Sequence, residues 1–166
     1  QDRNTLVIFM TDHGGDYEFG GSNKPFRGEK ATLFEGGIRV PCLIRWPGKI
    51  KAGAVITEPF WSPDLMVACA ELAGAKLPRG VVLDGKNPLP LLTQNAKSPH
   101  QTFFFSFRKH AALRQGDWKI VRERPNHPWQ LYNLKEDLSE SKNQAKEQPE
   151  RLEKLKASFA AWEKIF

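Results

Sequence analysis

Cysteine, methionine and tyrosine are scarce, at two residues each in a chain of 166. Cys42 and Cys69 cannot form a disulfide framework, and neither stands in a C-x-x-C pair. They give no reading of redox compartment and are expected as buried thiols. No apolar run approaches the ~20 residues that a bilayer-spanning helix needs. No charged-then-apolar leader opens the chain, so no signal peptide is visible. Its opening on Gln1 rather than Met gives the expectation of an upstream segment. Internal repeats and low-complexity tracts are absent.

The remaining composition is that of an ordinary globular chain. Hydrophobic residues make up 40% and aromatics 11%, which excludes disorder along the whole length. The length suits one domain at roughly 100–200 residues per domain, with about two-thirds of the unfolded surface buried on folding. The net charge of +6 admits an anionic partner without choosing among phosphate, sulfate and nucleic acid.

Thr5 to Met10 is a continuous apolar run, the pattern of a strand covered on both faces in a parallel α/β sheet. A glycine-rich loop follows, with Gly14, Gly15, Gly20, Gly21, Gly28, Gly36 and Gly37 in one short region. Val40 to Trp46 reads as a second short strand closed by Pro47-Gly48. Ser62-Pro63-Asp64 starts a helix, with Ser as N-cap and Leu65, Met66, Cys69 and Leu72 at helical spacing. Residues 75 to 100, rich in Pro, Gly and Asn, read as a connector. Thr102 to Phe107 is strand-like, and Ala111–Arg114 and Trp118–Arg122 flank a Gln115-Gly116 turn as a hairpin. Trp129 to Leu134 gives one more strand, and Lys135 to Glu147 is charged and expected in solvent. Pro149 opens a helix with Leu152, Leu155, Phe159, Trp162 and Phe166 as its apolar stripe. The expected division falls near residue 100, with α/β material in 1–100 and a small antiparallel sheet plus helix in 101–166.

Chemistry-bearing side chains gather in the glycine-rich loop. Asp12 and His13 end the first strand, at the sheet edge where α/β proteins place ligands and metals. Asp is a hard oxygen donor suited to Ca2+ or Mg2+, whereas imidazole is more at home on Zn, Fe or Cu. The pair reads either as metal ligands or as a hydrogen-bonded turn. Lys30 is either a point-charge clamp for a tetrahedral anion or a solvated loop lysine. Glu35 and Arg39 read as an ion pair that pins the loop's return. His100, Arg108, His110 and His127 are candidate substrate contacts or plain surface residues. Trp118, Lys119, Arg122 and Arg124 suggest a nucleic-acid binder, but basic and acidic residues are interspersed and no nucleic-acid motif is present.

Taken together, TLVIFMTDHGG, RGEKATLFEGGIRVP, RWPGKI and SPDLMVACAELAGA resemble the C-terminal half of type I sulfatases. These are formylglycine-dependent sulfate ester hydrolases of the alkaline phosphatase superfamily. LDGKNPLPLL, HAALRQGDWKIV and WQLYNLKEDLSESKN resemble later blocks of the same family. The resemblance covers nearly the whole chain and implies part of an alkaline phosphatase-like α/β domain followed by a small antiparallel β-sheet subdomain with a C-terminal helix. It assigns Asp12 and His13 to a divalent cation, usually Ca2+ with Mg2+ as the alternative, and Lys30 to the substrate sulfate. By resemblance, catalysis is attack on sulfur by a hydrated aldehyde through a covalent sulfated intermediate.

The family's C/S-x-P/A-x-R signature, matured to formylglycine, is missing. Cys42 is followed by Leu43-Ile44-Arg45, and Cys69 by Ala70-Glu71-Leu72, so neither is a nucleophile. Also missing are the family's paired N-terminal Asp ligands and its upstream Lys and His around the sulfate. The resemblance therefore implies the C-terminal part of a sulfatase, inactive alone. Its expected partners are a sulfated small molecule or carbohydrate, and either the missing N-terminal half or a second copy. Family habit places such enzymes in the periplasm, outside the cell or in the lysosome. Two further readings stand beside this one: a phosphonate or phosphodiester hydrolase of the same superfamily, and a non-catalytic module that kept the fold.

Overall fold

The computed structural model describes residues 4–78 and 80–165. Phe166, the last residue of the expected C-terminal stripe, lies outside them. The chain divides into two compact units. One comprises the segment up to Phe9 together with Leu43–Gln101; the other comprises Met10–Cys42 and the residues from Thr102 onward. The glycine-rich loop thus groups with the C-terminal sheet.

In the first unit, β1 (Val7–Met10) and β2 (Cys42–Arg45) form a two-stranded sheet, each strand running by one residue into the loop unit. The apolar run of β1 is not covered on both faces here: Phe9 is 63% exposed and Val7 also faces solvent. Among the described residues its one strand neighbour is β2, and Ile8 and Met10 on the other face are partly buried.

Helix α2 (Ser62–Leu72) begins one residue earlier than expected, with Trp61 rather than Ser62 as N-cap. Asp64 in its first turn accepts the Trp61 N–H at 3.2 Å, which satisfies a donor otherwise left free at a helix start. Its buried residues are Asp64, Val67 and Ala68. The expected stripe is therefore corrected: Met66, Cys69 and Leu72 are exposed. Cys42 is only partly buried, so neither thiol is fully buried. The expected connector contains a short helix, α3 (Leu89–Gln94), whose Leu91 and Leu92 are buried.

The second unit carries a four-stranded antiparallel sheet in sequential order: β3 (Thr102–Phe107), β4 (His110–Gln115), β5 (Trp118–Arg122) and β6 (Gln130–Asn133). The β4–β5 register pairs Gln115 with Trp118, so the turn residues are Gly116 and Asp117. Gly116 has φ +58°, a region glycine occupies without Cβ strain.

Side chains alternate across this sheet, and both faces are buried. Ala111, Leu113, Ile120 and Leu131 pack against Leu155 and Phe159 of α4 (Pro149–Glu163). Stacking of Phe104 on Trp162, with ring centroids 5.1 Å apart, extends that face. On the opposite face Ala112, Val121 and Tyr132 pack against Leu33 and Phe34 of the glycine-rich loop. A short helical turn, α1 (Glu35–Ile38), follows directly. The loop is therefore a covering layer of the sheet.

Glycine makes this close approach feasible. Gly14 N–H donates to the Gly37 carbonyl at 3.0 Å, and a Cβ on Gly36 would lie 2.3 Å from the Gly28 carbonyl oxygen. We expect Gly36→Ala to destabilise the protein by about 1–3 kcal/mol through overpacking, measured by denaturant unfolding.

Candidate functional site

A buried ion network anchors the loop. Lys119 on β5 is 0% exposed, and its ammonium lies 2.8 Å from Glu35 Oε1 and 2.9 Å from Glu140 Oε1. The second Glu140 oxygen accepts the Glu35 backbone N–H at 2.6 Å. Arg39 and Arg114 approach the second Glu35 oxygen at 3.7 and 3.8 Å. The expected Glu35–Arg39 pair is present, as one edge of a larger cluster.

The two carboxylates respond oppositely to this environment. Burial pushes Glu35 up, but Lys119, Arg114 and Arg39 outweigh it and hold the carboxyl below its ordinary range. Burial also pushes Glu140 up, and there it prevails over the Lys119 ammonium and the Glu35 N–H; the Glu35 charge adds to the rise.

Arg27 fastens the start of the same segment. Its guanidinium donates to the Tyr132 hydroxyl at 2.9 Å and to the Glu140 carbonyl at 3.1 Å. It also sits 3.9 Å above the Phe34 ring. Lys119 is therefore no nucleic-acid contact, and the stretch from Lys135 to Glu147, expected in solvent, contains fully buried Glu140.

The candidate ligands lie on this anchored loop. His13 Nδ1 is 2.8 Å from the Gly14 carbonyl oxygen. A carbonyl only accepts, so Nδ1 carries the proton, and in the neutral ring Nε2 keeps its lone pair. That Nε2 lies 3.4 Å from Asp12 Oδ2, and the Asp12 side chain is 86% exposed. The other Asp12 oxygen accepts the His13 backbone N–H at 3.1 Å. An outward carboxylate beside an imidazole lone pair fits part of a cation's ligand set. It is not a whole set: among the described residues no group of three or more His, Cys, Asp or Glu side chains could hold a metal. Ca2+ takes about 6–8 oxygen ligands.

Lys30 is brought near by its backbone. Its N–H donates to the Gly15 carbonyl at 3.2 Å, two residues beyond His13. Asn23 clamps the same turn, accepting the Gly15 N–H at 2.7 Å and donating to the Gly15 and Gly28 carbonyls. The Lys30 amine lies 3.5 Å from Asp16 Oδ2 and is about half exposed. Such a solvated pair contributes only about 0–1 kcal/mol, so an arriving anion can replace Asp16 at little cost. Asp16 was not legible as a partner, since nothing in its spacing marks it.

His100 is corrected as a substrate contact. Its side chain is 3% exposed, with Nε2 2.7 Å from Asp64 Oδ1. The Lys86 N–H donates to the same oxygen at 2.7 Å, and the Trp61 ring packs edge-on against the imidazole. His100 and Asp64 organise the interior of the first unit.

The fold and these motifs define a class, and comparison with known proteins narrows it. Residues 27–163 match the family described as N-sulphoglucosamine sulphohydrolase, C-terminal. The chain is 43% identical to mouse (Mus musculus) steryl-sulfatase over 113 residues, covering 63% of this chain and 18% of that protein. It is 33% identical to bovine (Bos taurus) arylsulfatase A over 197 aligned positions, covering 95% of this chain and 38% of that protein. Among solved structures, Ps i-CgsB superposes with a TM-score of 0.87 at 34% identity, over 97% of this chain and 37% of that one. The chain is the C-terminal portion of a sulfatase with the alkaline phosphatase-like fold. It belongs to the N-sulphoglucosamine sulphohydrolase C-terminal family.

The electrostatics of the anchor generate a pH signature. A depressed Glu35 stabilises the fold fully above its ordinary 4.5, and that contribution fades as pH falls through its lower folded value. The stability gap between wild type and Glu35→Gln is expected to be largest near neutrality and to shrink in acid. For Glu140 the sign reverses: its ionisation penalises the fold as pH rises from its ordinary 4.5 through its raised folded value. The gap between wild type and Glu140→Gln is therefore expected to narrow as pH rises through that window. Denaturant titrations at a series of pH values check both.

Proposed function

We propose that the protein carrying this chain hydrolyses sulfate esters of aryl or carbohydrate alcohols, with the glycine-rich loop supplying part of its metal and sulfate site. The carrying observation is the juxtaposition on one loop: His13 Nε2 lies 3.4 Å from Asp12 Oδ2, and the Lys30 N–H donates to the Gly15 carbonyl two residues beyond His13. Asp12 and His13 would hold the divalent cation, Ca2+ or else Mg2+. When bound, that ion supplies positive charge where a sulfuryl oxygen becomes more negative.

Lys30 acts as a second positive clamp. Its three ammonium donors exchange Asp16 for a sulfate oxygen, and Glu29 and Thr32 hold the turn that carries it. Thr32 Oγ1 donates to the Glu29 carbonyl at 2.7 Å, and the Glu29 N–H donates back to Thr32 Oγ1 at 3.1 Å. Ala31, the residue after Lys30, has φ +67°, a strained value for a side chain with Cβ. The surrounding hydrogen bonds over-determine that backbone, which fixes where the amine starts.

The nucleophile, a formylglycine in this reading, and the remaining ligands belong to sequence outside this chain. The working partner is therefore the N-terminal part of the same protein. No described helix is long and apolar enough to cross a membrane. The periplasm, cell exterior or lysosome is the proposed compartment.

In the full-length protein, Lys30→Ala is expected to lower kcat/KM on an aryl sulfate by about 10²–10³-fold, as removal of one oxyanion donor does elsewhere. A loss below about threefold would remove Lys30 from the site. Preference for an aryl phosphonate over the matched aryl sulfate would favour the phosphonate hydrolase reading. The chain alone is expected to hydrolyse neither ester and to bind Ca2+ weakly by calorimetry; sub-micromolar affinity would contradict the half-site.

A further inference from the structure

The proposed site holds a carboxylate where a sulfate is expected. Asp16 follows His13 by three residues, and its Oδ2 stands 3.5 Å from the Lys30 amine. For a loop that grips an anion this is an odd neighbour, because a fixed negative charge beside the clamp repels every anion that enters. A side chain free to turn away would raise no question. The contacts around Asp16 hold it in place.

Asp16 is the N-cap of the short helical turn Tyr17–Phe19, and its other oxygen, Oδ1, accepts the Glu18 N–H at 3.1 Å. Its carbonyl accepts the Gly21 N–H at 2.8 Å and the Phe19 N–H at 3.2 Å. The turn is fastened to the lysine's own segment: the Tyr17 N–H donates to Glu29 Oε2 at 2.8 Å, and the Tyr17 hydroxyl donates to the Gly28 carbonyl at 2.8 Å. One carboxylate oxygen is thus occupied by the cap, and the other faces Lys30 from backbone tied to the neighbours of Lys30. The Asp16 side chain is 24% exposed and that of Lys30 47%. The movable member of the pair is therefore the lysine, whose flexible four-carbon stem and three donors can turn from Asp16 to another anion.

We propose that Asp16 is a positioning residue for Lys30 and a built-in competitor for its charge: the lysine rests on Asp16 between turnovers, leaves it for the sulfate group, and is drawn back as inorganic sulfate departs. The inference deepens the sulfatase reading and rests on it. The cap alone does not account for the charge, since Asn or Ser caps a helix start about as well as Asp. Hydrolysis of a sulfate ester turns a monoanion into free sulfate, a dianion near neutral pH. A site of cations alone would hold that product more tightly than its substrate. A competing carboxylate loosens the hold of Lys30 on both, which speeds release, and it returns the amine to a defined position for the next substrate. The tie is solvated and weak, so it trims affinity without shutting anions out.

The test uses the full-length protein. Asp16→Asn removes the charge and keeps a side chain that caps equally well, so folding is preserved. Glu18→Gln, which removes the same charge from an exposed position on the same turn, is the control. Affinity for inorganic sulfate is read as its inhibition constant against turnover of an aryl sulfate and, without turnover, by calorimetry. Asp16→Asn is expected to bind sulfate about two- to fivefold more tightly than wild type, and Glu18→Gln to stay within about 1.5-fold. KM for the aryl sulfate should fall by a similar factor while kcat does not rise, because the tie to Asp16 is already broken in both the bound substrate and the transition state. In a Lys30→Met background the same Asp16 substitution should leave sulfate affinity within about 1.5-fold, there being no ammonium left to release.

A purely structural Asp16 predicts the opposite sign, since a loosened turn would misplace Lys30 and weaken sulfate binding. Weaker or unchanged sulfate binding in Asp16→Asn would overturn the proposal. So would an equal gain in Glu18→Gln, or the same gain in the Lys30→Met background, because either would trace the effect to net charge and not to the lysine. Absence of turnover on every sulfate ester would instead sink the sulfatase reading, and calorimetry with sulfate would still decide the part played by Asp16.

Discussion

One ammonium group without access to water organises the functional half of this chain. Lys119 stands in the middle of a four-stranded sheet, on the face opposite α4, where a solvated lysine would be unremarkable. A layer of loop covers it, and its charge is met by Glu35 and Glu140. Removing one partner of such a buried cluster costs on the order of 3–5 kcal/mol, because the remaining charges lose their compensation. The network is thus a matching condition: the loop must present Glu35, and the segment after β6 must present Glu140, at one place on the sheet.

That condition reaches the candidate ligands by short steps. Glu35 starts the turn that contains Gly36 and Gly37, and the Gly37 carbonyl accepts the Gly14 N–H beside His13. The Gly15 carbonyl accepts from Lys30. The candidate residues Asp12, His13 and Lys30 therefore sit on backbone joined by short hydrogen-bonded steps to the same buried charges. The sheet is the surface against which the glycine-rich loop, with its candidate residues, is moulded. Arg27 and Phe34 add an apolar and hydrogen-bonded seam through Tyr132, whose hydroxyl also donates to Gln130.

Much of this architecture was legible in the residues. Period-two alternation and turn chemistry placed β3 to β6 within a residue or two, and Pro149 with the 152/155/159 spacing placed α4. Several ordered motifs identified the sulfatase family. The failures are of partners that lie far away in sequence, and a strand's second face is the first of them. WKIVR looks half-solvated by alternation, and Lys119 becomes buried only because a distant loop lies over it. Glu140 sits in a polar stretch with nothing to distinguish it from Glu136 or Glu147. Helix α2 misled in the other direction: its most apolar stripe faces outward, and a buried Asp64 pairs with His100 across 36 residues. The Asp12–His13 doublet was visible as a candidate, but the contact of His13 Nδ1 with the Gly14 carbonyl was not.

The most direct measurement is amide hydrogen exchange on the full-length protein, comparing wild type with Lys119→Met. If the buried charges hold the glycine-rich loop, exchange at Gly14, Lys30 and Gly37 accelerates strongly in the variant, while amides in the middle of α4 change much less. Unchanged protection at those three loop amides in a folded variant would show that the loop keeps its shape without Lys119, and the account would be wrong.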